Sequence, residues 1–176
     1  PTYKLITPQR SYVMRAKPGP VAKLLPSAHA VEREFAVMRG LQGTGVPVPT
    51  MYCLCEDESV IGRAFYIMEF MQGRVLWDQS LPGMTTTGRG EIYDEMNRVI
   101  AALHTVDYQR QGLAAYGKPG SYFERQIGRW SKQYVASATQ QIDEMDRLIA
   151  WLPANMPASA RDDSKTSIVH GDYRLD

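Results

Sequence analysis

Residues 27–41 read Ser27-Ala28-His29-Ala30-Val31-Glu32-Arg33-Glu34-Phe35-Ala36-Val37-Met38-Arg39-Gly40-Leu41, and this stretch decides the fold. Ser27 suits an N-cap, and Val31, Phe35, Met38 and Leu41 recur at spacings of four, three and three. That pattern predicts one helix, running to about Leu41, with a single apolar face. Gly43-Thr44-Gly45 and Pro47 end it. With Val31 at zero and about 100° per residue, Phe35 falls near about +40°, Met38 near about −20° and Leu41 near about −80°. Glu34 falls at about −60°, inside the apolar stripe, with Arg33 on the far side and Glu32 at the edge. A carboxylate turned toward a core needs a cationic or hydrogen-bonding partner, unless it snorkels at the rim of the stripe.

The flanking segments offer that partner. Residues 3–7 and 11–15 are short runs rich in β-branched and aromatic residues around Pro8-Gln9-Arg10, the pattern of a β-hairpin. On the second strand Ser11, Val13 and Arg15 share a face, with Tyr12 and Met14 opposite. Arg15 is the first candidate partner for Glu34, and Lys17 is the second. Residues 51–56 and 63–70 read as two more strands joined by the acidic turn Glu56-Asp57-Glu58. The first 70 residues are therefore strands with one helix inserted.

The character changes after residue 71. Residues 81–90 are loop-like, with Pro82, Gly83, Gly88 and Gly90. Ile92, Met96, Val99, Leu103 and Val106 then predict a strong helix, and residues 122–136 and 142–152 predict two more. Trp130 and Trp151 read as packing residues on those helices, and Arg125 and Arg129 as a solvated face. His104 reads as a packed or capping residue. Residues 153–165 form a polar loop and residues 167–169 a short apolar strand. Val169-His170-Gly171-Asp172-Tyr173-Arg174-Leu175 then puts an aspartate just past a strand end, where loops commonly carry catalytic groups. Taken alone, His-Gly-Asp also fits an ordinary turn.

Composition narrows the field. Across 176 residues, 44% are hydrophobic and 22% charged, the balance of a folded globular protein rather than a disordered one. Lys and Arg total 20 against 19 Asp and Glu, a net charge of +1 that argues against a nucleic-acid partner. No apolar run reaches the roughly 20 residues that span a bilayer, and no signal-peptide pattern is present. Cys53 and Cys55 are the only cysteines, too few for a structural zinc site and too close along a strand for an unstrained disulfide. They read as reduced, half-buried thiols, and with the missing signal peptide they point to the cytoplasm. The start at Pro1 and the stop at Asp176, directly after a motif-like segment, lead us to expect a piece of a longer protein.

Together, Tyr12-Val13-Met14-Arg15, Glu32-Arg33-Glu34, Phe65-Tyr66-Ile67-Met68-Glu69-Phe70, Ala102-Leu103-His104-Thr105-Val106-Asp107 and Val169 through Asp176 resemble the aminoglycoside phosphotransferase family. The resemblance covers essentially the whole chain. Pro26 through Glu34 and His170 through Asp176 narrow it to the branch similar to the kinase domain of acyl-CoA dehydrogenase family members 10 and 11. It implies an α+β, protein-kinase-like fold, with an antiparallel β N-lobe carrying one helix and an incomplete, mainly helical C-lobe. Residues 1–71 would be the nucleotide-binding lobe, lacking its first strand and glycine-containing loop. Residues 72–176 would be the first part of the helical lobe, ending inside the catalytic loop.

The resemblance also implies roles. Arg15 would hold the α- and β-phosphates of ATP, and Glu34 would pair with it. Backbone groups of Glu69 to Met71 would bind adenine, with Met68 beside the ring. Asp172 would accept the proton of a small-molecule hydroxyl, with His170 holding the loop. Trp77 stands between covering the acceptor and ordinary packing. Mg²⁺ would be expected, with its ligands beyond residue 176. A fixed cation and a positioned carboxylate suit phosphoryl transfer, where catalysis is mostly positioning and charge stabilisation. Arg in place of Lys supplies a forked donor that stays charged.

The implied activity is ATP-dependent transfer of the γ-phosphate to a hydroxyl. A hydroxyacyl acceptor is favoured over an aminoglycoside, and residues 1–176 alone are expected to be inactive. The alternatives are a non-catalytic nucleotide-binding or interaction domain and a thiol redox module on Cys53 and Cys55. Neither the oligomeric state nor the choice of ATP over GTP is legible.

Overall fold

The computed structural model describes residues 1–19, 30–118 and 120–175. Its elements are β1 (Thr2–Ile6), β2 (Ser11–Ala16), α1 (Val31–Leu41), β3 (Met51–Cys55), β4 (Phe65–Glu69), α2 (Thr86–His104), α3 (Tyr122–Ser137) and α4 (Asp143–Ala154). Two short 3-10 turns follow, Ala158–Arg161 and Asp163–Lys165. An antiparallel sheet with one helix precedes a helical remainder, the α+β arrangement that the sequence pattern predicts.

β1 and β2 form the expected hairpin. Thr7 closes its turn, because Oγ1 donates to Arg10 O at 2.8 Å and accepts from Arg10 N–H at 3.2 Å. The sheet order is β1-β2-β4-β3, and each neighbouring pair is antiparallel. Thr2 pairs with Arg15, Arg15 with Tyr66, and Val13 with Met68. Since side chains alternate along a strand, Thr2, Lys4, Val13, Arg15, Tyr66 and Met68 share one face. Between Met51 and Cys53 the β3–β4 register slips, so Leu54 still meets Tyr66 on that face.

Helix α1 covers this face. Val31 and Phe35 bury with Met51, Ala64 and Tyr66, and Met38, Leu54 and Met68 pack around them. Val31 is 0% and Tyr66 2% exposed, so the helical and strand patterns converge on one core. Acidic residues in the first turn of α1 and Arg39 in the last suit the helix dipole. The helix begins at Val31 with Ala30 at the N-cap position. The anticipated cap, Ser27, lies outside the described residues.

Three local expectations need correction. Helix α2 starts at Thr86, inside the segment read as loop, because Thr85 Oγ1 caps it by accepting from Gly88 N–H at 3.1 Å. That cap offsets the cost of glycine in the first turns. Residues 167–169 form no strand, since no strand among the described residues lies beside them to pair with. Trp130 and Trp151 are exposed, because α3 and α4 bury no residue.

The backbone divides into two compact units. One comprises Pro1–Tyr116 with Ser167–Asp176 and holds the sheet, α1 and α2. The other, Gly117–Thr166, holds α3, α4 and the 3-10 turns. In the second unit Arg125 is not simply solvated, since its guanidinium donates to Gly120 O and to Lys118 O. No helix among the described residues is long and apolar enough to cross a membrane.

Candidate active site

The alternation of β2 turns Arg15 toward α1, and the helical phase of α1 turns Glu34 back toward the sheet. The two meet as a forked ion pair. Arg15 Nε donates to Glu34 Oε2 at 2.5 Å and Nη2 donates to Oε1 at 3.0 Å. Bidentate pairing fixes the guanidinium plane as well as its position. The pair is about a third exposed, with side-chain accessibilities of 30% and 29%, so a ligand can reach it.

Among the described residues two more join the clamp, and sequence reasoning missed both. Tyr66 donates its phenol hydrogen to Glu34 Oε2 at 3.0 Å, and Arg15 Nη1 donates to Thr2 Oγ1 at 3.2 Å. Strand alternation alone does not single them out, because the register that pairs Thr2 and Tyr66 with Arg15 is set by the assembled sheet. Hydrogen bonding to Glu34 raises the Arg15 pKa still further, although burial opposes it. Burial, followed by the negative charge on Glu34, pushes the Tyr66 phenol far above its usual value. The phenol therefore stays a donor at any working pH.

Lys17, the second candidate, pairs two residues earlier on α1, with Glu32 rather than Glu34. Its Nζ lies 3.1 Å from Glu32 Oε2, an ion pair without good hydrogen-bond alignment. The helix-starting N–H of Glu32 itself, and next Lys17, lower the Glu32 pKa against burial. Strand β2 and the segment after it thus hold α1 by two parallel ion pairs.

The other predicted positions spread along β4 and the terminal segment. Met68 packs against the core cluster beneath α1. The Glu69 carboxylate accepts from Thr50 N–H at 3.1 Å and Thr50 Oγ1 at 2.7 Å, tying the end of β4 to the start of β3. Those bonds, the hydroxyl foremost, lower the Glu69 pKa. Phe70 and Met71 lie past the last ladder pair, so their backbone groups are outside the sheet's hydrogen bonding. Phe70 carries Lys4 Nζ 4.0 Å over its ring, and Met71 is exposed.

Asp172 is exposed on a bend whose Gly171 has φ +84°, a conformation that favours glycine. The bend is anchored on both sides of the aspartate. His170 and Tyr173 meet edge to face at 5.4 Å, and Tyr173 donates to Met96 O of α2 at 3.0 Å. No hydrogen bond or ion pair joins Asp172 to Arg15, Glu34, Met68, Glu69 or Met71 among the described residues. Trp77 is 82% exposed. Cys53 is exposed rather than half-buried, and both cysteines are free.

A cation on a sheet strand, clamped by a carboxylate from the helix packed over that sheet, is an arrangement shared with protein-kinase-like folds. The phosphotransferase enzyme family, APH, matches residues 1–176, and the chain belongs to it. It is 48% identical over 176 residues to mouse acyl-CoA dehydrogenase family member 10, covering 100% of this chain and 16% of that protein. It is 41% identical to human acyl-CoA dehydrogenase family member 11 over 176 residues, 22% of that protein. The crystal structure of a presumptive aminoglycoside phosphotransferase from Ralstonia eutropha JMP134 superposes with a TM-score of 0.86. Its identity is 65%, covering 100% of this chain and 50% of that one. The chain thus spans a minor part of the curated relatives and half of the solved neighbour.

Proposed function

We propose that the intact polypeptide transfers the γ-phosphate of ATP to the hydroxyl of a small hydroxyacyl molecule. The observation that carries this reading is the Arg15–Glu34 clamp, about a third exposed to solvent on the sheet face beneath α1. Arg15 would hold the α- and β-phosphates, with Glu34, Tyr66 and Thr2 fixing its guanidinium. Backbone groups from Glu69 to Met71 would receive adenine, near Met68. Asp172 would accept the acceptor's hydroxyl proton as its oxygen forms the new bond to phosphorus. The bond from phosphorus to the bridging oxygen breaks, and ADP leaves.

Among the described residues, no group of three or more His, Cys, Asp and Glu side chains could hold a metal ion. The hydroxyacyl preference draws on the relatives named as acyl-CoA dehydrogenases, and the solved neighbour's name favours an aminoglycoside instead.

The test is ATP consumption by the intact polypeptide with hydroxyacyl compounds and with aminoglycosides, each beside Asp172→Asn. The expected outcome is turnover on hydroxyacyl compounds that falls about 100- to 10,000-fold in the variant, the usual contribution of a positioned base. Turnover on aminoglycosides alone would move the acceptor. ATP binding without turnover on either would favour a non-catalytic nucleotide-binding domain.

A further inference from the structure

The far side of α1 from Glu34 holds a cleft. Its volume is about 490 Å³, within the usual range for small-molecule sites, and it lies between α1, Leu54 of β3 and the loop around Leu113. The two walls are tied together. Arg33 Nη2 donates to Tyr116 O at 2.8 Å and stacks 4.4 Å over that ring, and Gly40 lets Leu113 approach the helix. A Cβ at Gly40 would lie 2.9 Å from Leu113.

The lining has two characters. Phe35, Leu54 and Leu113 give an apolar floor, with Phe35 and Leu113 buried. Arg39 and Arg110 supply two cations at the rim. Arg39 rests on the Phe35 ring at 5.7 Å, and neither guanidinium has an ion pair or side-chain hydrogen bond among the described residues. The Arg110 backbone N–H already takes the Asp107 carboxylate at 3.0 Å, and Glu32 faces Lys17. Glu32 also lines the cleft, with its charge offset by Lys17, while both guanidinium forks are available to a carboxylate or phosphate.

We propose that this cleft binds a small amphipathic anion, its apolar body on Phe35, Leu54 and Leu113 and its acidic head between Arg39 and Arg110. The occupant would lean on the helix that carries Glu34. Binding is independent of the phosphotransferase reading, so it is measured without nucleotide.

The experiment titrates octanoate and octyl phosphate into the intact polypeptide, with octanol and acetate as controls. Calorimetry gives affinity, and backbone amide shifts at Ala36, Gly40 and Gly112 give location. The expected result is saturable binding of at least one octyl anion, shifts confined to the cleft, and at least tenfold weaker binding in Arg39→Gln/Arg110→Gln. Octanol and acetate should each bind at least tenfold more weakly than that anion. The relative strength of the two anions assigns the head as carboxylate or phosphate. Circular dichroism of the double variant establishes that it is folded. Absence of saturable binding by both anions would overturn the proposal, as would equal binding by the folded double variant or by octanol.

Discussion

Tyr66 donates to Glu34 Oε2 at 3.0 Å, so the carboxylate that clamps Arg15 is held from two adjacent strands at once. Its rotamer is fixed by β4 before any ligand arrives. Tyr66→Phe removes one hydrogen bond and little volume. The expected cost is about 1 kcal/mol, read as a lower urea midpoint at unchanged slope. Glu34→Gln removes the charge as well. Its cost stays near about 1 kcal/mol because the pair is partly exposed, and nucleotide affinity falls more in Glu34→Gln than in Tyr66→Phe.

Tyr173 pins the Asp172 bend to α2 through Met96 O. Tyr173→Phe frees the bend on that side while leaving the ring to pack on His170. In the intact polypeptide we expect kcat to fall several-fold with nucleotide affinity unchanged, since Arg15 and Glu34 are untouched. Stability should drop by about 1 kcal/mol. Steady-state kinetics beside calorimetric ATP binding separates these effects.

Two helical glycines should answer oppositely to alanine. In an open helix interior, Gly→Ala adds up to about 1 kcal/mol of stability. Gly90 of α2 has nothing within 4 Å of its would-be Cβ, so Gly90→Ala should stabilise. Gly40 faces Leu113 at 2.9 Å, and overpacking of that kind costs about 1–3 kcal/mol. Gly40→Ala should therefore destabilise, and paired thermal melts decide the sign of each.

Acid should weaken the fold through Glu32 and Glu69, both of which hold their protons less readily than an ordinary glutamate. A folded pKa below the unfolded one gives stability that is complete above the unfolded value, about 4.3, and is lost as pH falls through the folded value. Glu69→Gln should flatten that acid limb and lower stability at neutral pH by about as much as this carboxylate's share of the wild-type loss in acid. Urea titrations at a series of pH values below 6 would show a limb of unchanged steepness if the Thr50 bonds contribute nothing (about one proton's slope is at stake).

The clamp shows how far the sequence could be read. Helical phase put Glu34 inside an apolar stripe and strand alternation made Arg15 its first candidate partner ahead of Lys17, while the family resemblance favoured that ion pair over a snorkelling Glu34. Tyr66 and Thr2 were not legible, because their roles depend on which strands lie beside β2. The start of α2 at Thr86 was missed because two glycines outweighed a threonine cap in the reading. The exposure of Trp130 and Trp151 was missed because amphipathic spacing predicts an apolar face without saying what covers it.

Periodicity and turn chemistry, which act within a few residues, were enough to place most of the elements and the faces they present, while the roles expected of Arg15 and Asp172 rest on the family resemblance. The tertiary structure decided the order β1-β2-β4-β3, the bulge that returns Leu54 to the core, the Tyr66 and Thr2 contacts and the arginine-rimmed cleft behind α1. These depend on contacts between residues far apart in the chain, such as Arg33 with Tyr116, whose geometry exists only once the core under α1 has closed.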